Sequence, residues 1–105
     1  MIAEIRRKVG QGLFEFTQHA VDMGIARHIT VRELREAIAN AELIEDYPND
    51  KYGPSCLLLG FTLVGRPLHI QCSHPARPRI KIVTIYQPNI ELWIDFRVRR
   101  EQHDD

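Results

Sequence analysis

Gly65-Arg66-Pro67-Leu68-His69-Ile70-Gln71-Cys72-Ser73-His74-Pro75-Ala76-Arg77-Pro78-Arg79-Ile80-Lys81-Ile82-Val83-Thr84-Ile85-Tyr86-Gln87-Pro88 is the stretch that decides the fold: two strand-like runs flank a proline-bracketed turn and carry the strongest chemical candidates in the chain. Ser55 to Val64 reads as the strand before it, and Gly65 in the pair Val64-Gly65 supplies the positive φ that a two-residue hairpin turn needs. That turn pairs Leu63 with Arg66, Phe61 with Leu68, Leu59 with Ile70 and Leu57 with Cys72, all on the buried face. Gly60 then stands opposite His69, Leu58 opposite Gln71 and Cys56 opposite Ser73 on the other face. With Pro75 to Pro78 as a four-residue loop, Ile70 meets Val83, Leu68 meets Ile85 and Cys72 meets Lys81, while His69 meets Thr84 with Tyr86 diagonal to it. This register sends Cys56 and Cys72 to opposite faces, out of reach of a disulfide, and both read as buried thiols.

Toward the N-terminus, residues 1–12 contain Arg6, Arg7 and Lys8 and are punctuated by Gly10 and Gly12, which reads as a flexible leader with one helical turn through Ile2 and Ile5. Leu13 to Phe16 alternates too briefly to demand a strand. Thr17 suits an N-cap for a short helix striped by Ala20, Val21 and Ile25 and ending near Gly24. Thr30-Val31-Arg32-Glu33 fits a capping box, with Leu34, Ala37, Ile38 and Ala41 following at helical spacing. Glu42 to Tyr47 reads as the first sheet strand, stopped by Pro48-Asn49-Asp50. After Pro88, Asn89 is placed to cap a helix carrying Ile90, Leu92, Trp93, Ile94 and Phe96, with Arg97, Arg99 and Arg100 at its C-terminal end. The expectation is a single α+β domain over residues 13–100. An N-terminal helix pair packs on one face of a four-stranded antiparallel sheet and a C-terminal helix closes it, in the order α-α-β-β-β-β-α, with a frayed tail over 101–105.

The 105 residues suffice for one domain that removes roughly two thirds of its unfolded surface from water. A composition of 44% hydrophobic and 27% charged residues is that of an ordinary globular chain. No apolar run approaches the ~20 residues of a membrane span, and no signal-peptide pattern follows the basic triplet, so a cytoplasmic location is expected. Basic and acidic residues balance at 14 each, which excludes an electrostatic grip spread over the whole surface. Contact with nucleic acid has to come from a local patch.

His69, Thr84 and Tyr86, with Gly60 leaving space beside the imidazole, form the leading constellation. Histidine exchanges a proton near neutral pH, and a neighbouring phenol hydrogen-bonds to it or acts as a weaker acid. Arg66 lies just before His69, and Arg77, Arg79 and Arg97 are within the reach of loops or helix ends to hold a phosphate. This combination suits cleavage of RNA by its own 2′-hydroxyl. The plainer reading is that His69 bonds Thr84 and the arginines are solvated. His19, in the first turn of a helix, reads first as structural. Lys81 is a second-line candidate whose amine snorkels outward. Glu45 and Asp46 offer one carboxylate to each face. Cys72 and His74 share a face with no third ligand at recognisable spacing, so no metal site is expected, and no glycine-rich phosphate loop calls for a cofactor.

The same residues resemble a small bacterial family, domain of unknown function 4258, from about Thr17 to Arg100. The likeness runs through His19-Ala20, the helix pair, Ile44-Glu45-Asp46-Tyr47-Pro48, Gly65-Arg66-Pro67-Leu68-His69-Ile70, Ile82-Val83-Thr84-Ile85-Tyr86-Gln87-Pro88 and Trp93 to Arg100. In the order of its elements that family resembles the BrnT and RelE type toxins, whose active members cut messenger RNA. The resemblance implies a toxin-like protein of a bacterial toxin-antitoxin pair, a metal-independent endoribonuclease. His69, Tyr86 and Arg66 would be its catalytic residues, with His19, Lys81 and Thr84 in secondary roles. It also implies a small antitoxin bearing paired C-x-x-C zinc motifs as partner, alongside RNA. The competing reading is a non-enzymatic interaction module or homodimer that keeps the fold and uses an exposed apolar patch of Leu58, Ile82 and Tyr86.

Overall fold

The computed structural model describes residues 1–101. Within them α1 (Ile2–Gly10), α2 (Gln18–Ala26) and α3 (Val31–Ala39) are followed by a run of strands: β2 (Glu42–Tyr47), β3 (Ser55–Phe61), β4 (Pro67–Ser73) and β5 (Ile80–Tyr86). A short strand, β1 (Phe14–Phe16), sits between α1 and α2, and a two-stranded hairpin of β6 (Trp93–Ile94) and β7 (Val98–Arg99) closes the chain. The main sheet has five strands in the order β1-β5-β4-β3-β2, with β1 parallel to β5. The four-stranded, wholly antiparallel sheet with a closing helix is therefore corrected to a mixed five-stranded sheet, three helices and a terminal hairpin. The segment expected to fray beyond Glu101 lies outside the described residues. Among the described residues no helix is long and apolar enough to cross a membrane.

Each departure has a local cause. The leader folds as a nine-residue helix because Ile5 and Val9 fall on one face and are buried against α3 and β5. A helix that short is marginal alone in water, so tertiary packing holds it. Arg6 donates to the carbonyl of Ala41, and Lys8 Nζ donates to the carbonyls of Pro75 (2.6 Å) and Arg77 (2.7 Å). Phe14–Phe16 is too short to show as a strand by alternation, yet it pairs Phe14 with Ile80 and Phe16 with Ile82. After Pro88, Asn89 does start a turn, its carbonyl accepting from Leu92 and Trp93. Asp95 and Phe96 then take φ of 52° and 61°, and the Arg97 N–H closes a tight turn on Ile94. Two successive positive φ values are the signature of a hairpin turn and incompatible with a helix. The wide apolar arc is really a two-sided ribbon, with Trp93 inward and Ile94 and Val98 outward.

The two helices expected from their caps form, but of the apolar stripe expected on the first only Ala20 is buried, Val21 and Ile25 being 39% and 71% exposed. Thr17 Oγ1 accepts from the Ala20 N–H, and Thr30 and Glu33 complete a capping box. Leu34, Ala37, Ile38 and Ala41 are all fully buried.

The central register differs by one residue. Thr62 closes the β3–β4 connection early, its carbonyl accepting from Gly65 and its hydroxyl from Arg66 N–H. The strands therefore pair Phe61 with Pro67, Gly60 with Leu68, Leu59 with His69, Leu58 with Ile70 and Cys56 with Cys72. On the next pair His69 stands opposite Tyr86 and Gln71 opposite Thr84, with a bulge that leaves Val83 unpaired. Cys56 and Cys72 consequently share the helix-covered face, Sγ to Sγ 3.9 Å, and are not on opposite faces. Gly60 faces α3 rather than His69.

A Cβ built on Gly60 would lie 2.0 Å from the carbonyl oxygen of Ala37, so this glycine is what lets α3 lie flat on the sheet. Gly60→Ala is expected to lower the free energy of unfolding by about 3 kcal/mol, and Gly65→Ala, at φ 84°, by about 1 kcal/mol. Gly10→Ala, where the added Cβ meets nothing within 4 Å, is expected to raise it by about 0.5 kcal/mol. Urea unfolding of the three variants checks this order, and a Gly60→Ala protein as stable as the parent would refute the close approach of α3.

Candidate functional site

The sheet face turned away from the helices is divided in two. At one end the β6–β7 hairpin lies on it. His69 is fully buried there, its Nε2 2.7 Å from the Phe96 carbonyl and its Nδ1 3.1 Å from the Tyr86 hydroxyl. A carbonyl can only accept, so Nε2 carries the hydrogen, and Nδ1 accepts from Tyr86. Trp93 packs edge-on to the imidazole at 4.5 Å between ring centroids, and Phe61 packs on Phe96. Burial away from water lowers the His69 pKa, outweighing the Phe96 carbonyl and Glu45, and burial raises that of Tyr86.

Ion pairs hold the hairpin in place. Arg99 Nε donates to Glu45 at 2.9 Å, its guanidinium stacks on Trp93 at 4.6 Å, and Arg97 pairs with Glu42 at 2.5 Å. Burial works to raise the Glu45 pKa, but the hydrogen bonds from Arg99 and from the Tyr47 hydroxyl hold it below its ordinary value. The Tyr47 phenol, half-buried beside that carboxylate, is pushed up to about 12.

Arg66 takes another direction. Its guanidinium donates to the carbonyls of Arg27 (3.1 Å) and His28 (3.0 Å), to Glu33 Oε2 (3.1 Å) and to Gln87 (3.0 Å), clamping the α2–α3 connection to the sheet edge. The structure thus brings His69 and Tyr86 together, under cover, and engages Arg66 elsewhere. Thr84, across from Gln71, lies between the covered end of the face and the open one. Leu58 and Ile82, expected on an exposed apolar patch, are both 0% exposed on the helix-covered face. That association surface does not exist.

The other end of the same face is an open cleft of about 540 Å³, and the secondary candidates His19 and Lys81 both line it, with His74 and Arg77. The β5 bulge positions His19: Thr17 N–H donates to the Ile82 carbonyl and Thr17 Oγ1 to that of Val83, which seats the first turn of α2 at the cleft rim. Lys81 projects from β5 on this face beside Ser73, whose hydroxyl accepts the Lys81 N–H. His74 follows β4 directly and is pinned through one nitrogen. Its Nε2 donates to Asp46 Oδ1 (2.6 Å) and to the Ser55 carbonyl (3.1 Å), while its N–H donates to Pro54. Both acceptors lack a hydrogen to give, so the neutral ring keeps its lone pair on Nδ1. The loop carrying Arg77 is tied down by Lys8 of α1.

The polar ends of the two regions differ in one respect. His69, Tyr86 and Arg66 are all hydrogen-bonded. His19, His74 Nδ1, the Arg77 guanidinium and the Lys81 ammonium have no hydrogen-bond or ion-pair partner among the described residues. An imidazole lone pair, a second imidazole and two cations lining one cleft are the kinds of group that exchange protons and hold a phosphate. The free Nδ1 of His74 is not legible in the sequence, because the orienting carboxylate of Asp46 lies 28 residues away and meets the ring only through the β2–β3–β4 register. The available signal was its place immediately past a strand end and before a proline loop.

A family model described as domain of unknown function (DUF4258) matches residues 16–87, which include every residue of the cleft named above. No curated protein and no solved structure matches the chain. The likeness to BrnT and RelE type toxins is not confirmed by these comparisons.

The buried neutral His69 makes stability depend on pH. Its folded pKa lies below the ordinary 6.5, so above that pH neither state carries the proton and the group is silent. As the pH falls below 6.5 the unfolded chain binds a proton that the native state does not, and stability drops until the lowered folded pKa is reached. His69→Gln removes this contribution. Urea unfolding at pH 7.5 and 5.5 is expected to show a larger loss on acidification for the parent than for His69→Gln, and equal losses would refute the assignment.

Proposed function

The chain belongs to the DUF4258 family, and on that premise we propose that it is an endoribonuclease of the toxin-like kind whose active site is the open cleft. The observation that supports this reading most is the gathering of His19, His74, Arg77 and Lys81 in one cleft, each with a functional group left unpartnered by the described residues. His74 Nδ1 takes the proton of a ribose 2′-hydroxyl, with Asp46 holding the ring's orientation and tautomer. The freed oxygen attacks the adjacent phosphorus, and the P–O5′ bond breaks. The departing 5′-oxygen takes a proton from His19, which leaves a 2′,3′-cyclic phosphate and a 5′-hydroxyl end. Arg77 and Lys81 balance the charge that gathers on the non-bridging oxygens. All four groups belong to the chain itself, so the step is drawn without a metal.

His69 and Tyr86 have a different part in this reading. They pin the C-terminal hairpin on the covered end of the same sheet face. We carry the partner expectation in the same proposal: a small antitoxin bearing paired C-x-x-C zinc motifs would silence the protein by covering the cleft.

Incubation of the purified protein with a single-stranded RNA in the presence of EDTA is expected to give products with 2′,3′-cyclic phosphate ends, and a 2′-deoxy strand is expected to stay intact. His19→Ala and His74→Ala should each lower kcat/KM by roughly 10²- to 10⁴-fold. Lys81→Ala should lower it to a smaller extent, and folded His69→Gln should retain activity. A folded parent protein that leaves RNA intact, or a His74→Ala variant as active as the parent, would remove the reading.

A further inference from the structure

Tyr52 stands apart from the other two tyrosines. Tyr47 and Tyr86 are half-buried and bonded to Glu45 and His69, whereas Tyr52 is 82% exposed and its hydroxyl has no partner among the described residues. It sits on the β2–β3 connection at the mouth of the cleft, where Gly53 reverses the chain at φ 106° and Pro54 leads into β3. Lys51 Nζ lies over one ring face at 4.9 Å, and Arg77 and Lys81 line the same cleft. The ring is 82% exposed and adds nothing to the core, with one cation on a ring face and two more in the lining of the same cleft. Asp50 is the carboxylate of this lining, and its Oδ2 is engaged by the Ser55 hydroxyl at 3.1 Å.

An exposed aromatic face flanked by cations matches a nucleobase joined to its phosphates, because every base offers a π-face while the backbone supplies the negative charge. We propose that Tyr52 is a stacking platform for one unpaired base, and that the substrate of the cleft is single-stranded RNA held with that base on Tyr52 and the neighbouring phosphate between Arg77 and Lys81. The inference rests on the cleavage reading for the identity of the substrate. Bases inside a duplex are already stacked on one another and present only their edges, so a duplex of the same sequence cannot use this platform.

The test is fluorescence anisotropy with a 2′-O-methyl single strand, which binds without being cut, set beside cleavage of the natural strand. Tyr52→Ala is expected to weaken binding of the 2′-O-methyl strand by roughly 10-fold, and Tyr52→Trp to preserve it. The duplex is expected to bind the parent more weakly than the single strand and to be indifferent to Tyr52→Ala. Cleavage of natural RNA should lose kcat/KM through KM, with kcat nearly unchanged. If the parent cuts RNA and Tyr52→Ala binds and cuts as the parent does, the stacking inference is overturned and the cleavage reading survives. If the parent binds through Tyr52 but leaves natural RNA intact, the cleavage reading fails and the platform stands. A parent that binds no single strand overturns both.

Discussion

The contact on which the rest of the structure depends is the approach of α3 to Gly60. With the Ala37 carbonyl 2.0 Å from where a Cβ would be, no other residue type lets the helix lie on β3 at that point. A strand alternates faces strictly, so assigning Gly60 to the helix side assigns Leu58 and Cys56 with it, and sends Leu57, Leu59 and Phe61 to the far side. The β3–β4 register then carries the assignment across the sheet: Leu68, Ile70 and Cys72 face the helices, while His69, Gln71 and Ser73 face away. With that register His69 is left on the outer face. The same register brings Cys56 and Cys72 side by side in the core.

An outer face with Leu57 and Leu59 on it cannot stay bare. Burying a leucine side chain is worth about 1.5–3 kcal/mol, and both are nearly inaccessible to solvent. On that side lie the β6–β7 hairpin, with Trp93 and Phe96 over His69, and the ion pairs of Arg97 and Arg99 to β2, the edge strand nearest the hairpin. The hairpin is too small to cover the whole face. The end formed by Ser55, Ser73 and Lys81 remains open, and the chain surrounds it with connections rather than with a lid: the first turn of α2, the β2–β3 turn and the β4–β5 loop. The cleft is therefore what a five-stranded sheet leaves over when a two-stranded ribbon covers only part of it.

Much of this was legible in the residues. The capping box at Thr30 and Glu33, the Thr17 cap, the stripe from Leu34 to Ala41 and the strands β2 to β5 follow from local chemistry, and the structure has them. What failed was long-range or one residue in extent. Gly65 suits a turn at Val64-Gly65, but Thr62 satisfies the backbone earlier through its own hydroxyl and carbonyl, and a slip of one residue reverses the two faces of β3. His69 is nevertheless on the outer face, because the alternation of β4 itself puts Leu68, Ile70 and Cys72 toward the helices whichever residue of β3 stands opposite. The terminal hairpin was hidden because Trp93, Ile94, Phe96 and Val98 suit a helix and a two-sided ribbon alike, and the difference lies in the backbone of Asp95 and Phe96. In the site, His69 is conspicuous in the sequence because it sits in a clear strand. His74 is not, since what orients it arrives from β2.

The two histidines illustrate a general asymmetry between positions inside a sheet and positions just past its strands. A histidine in mid-strand on a covered face must have both nitrogens satisfied, because a buried ring atom without a partner costs about 1–3 kcal/mol, and His69 meets that demand through Phe96 and Tyr86. The bonds that make it affordable to the fold also occupy the lone pair that a base needs. A histidine one residue beyond a strand end can be fixed through one nitrogen by strand carbonyls and a neighbouring carboxylate while the other nitrogen remains at the rim of a cleft, as His74 is. Orientation and availability are then supplied by different atoms of one ring. Here the mid-strand position produces the first arrangement and the strand end the second, so the imidazole nitrogen left without a partner lies at the loop end of the sheet, in the cleft that His19, Arg77 and Lys81 also line.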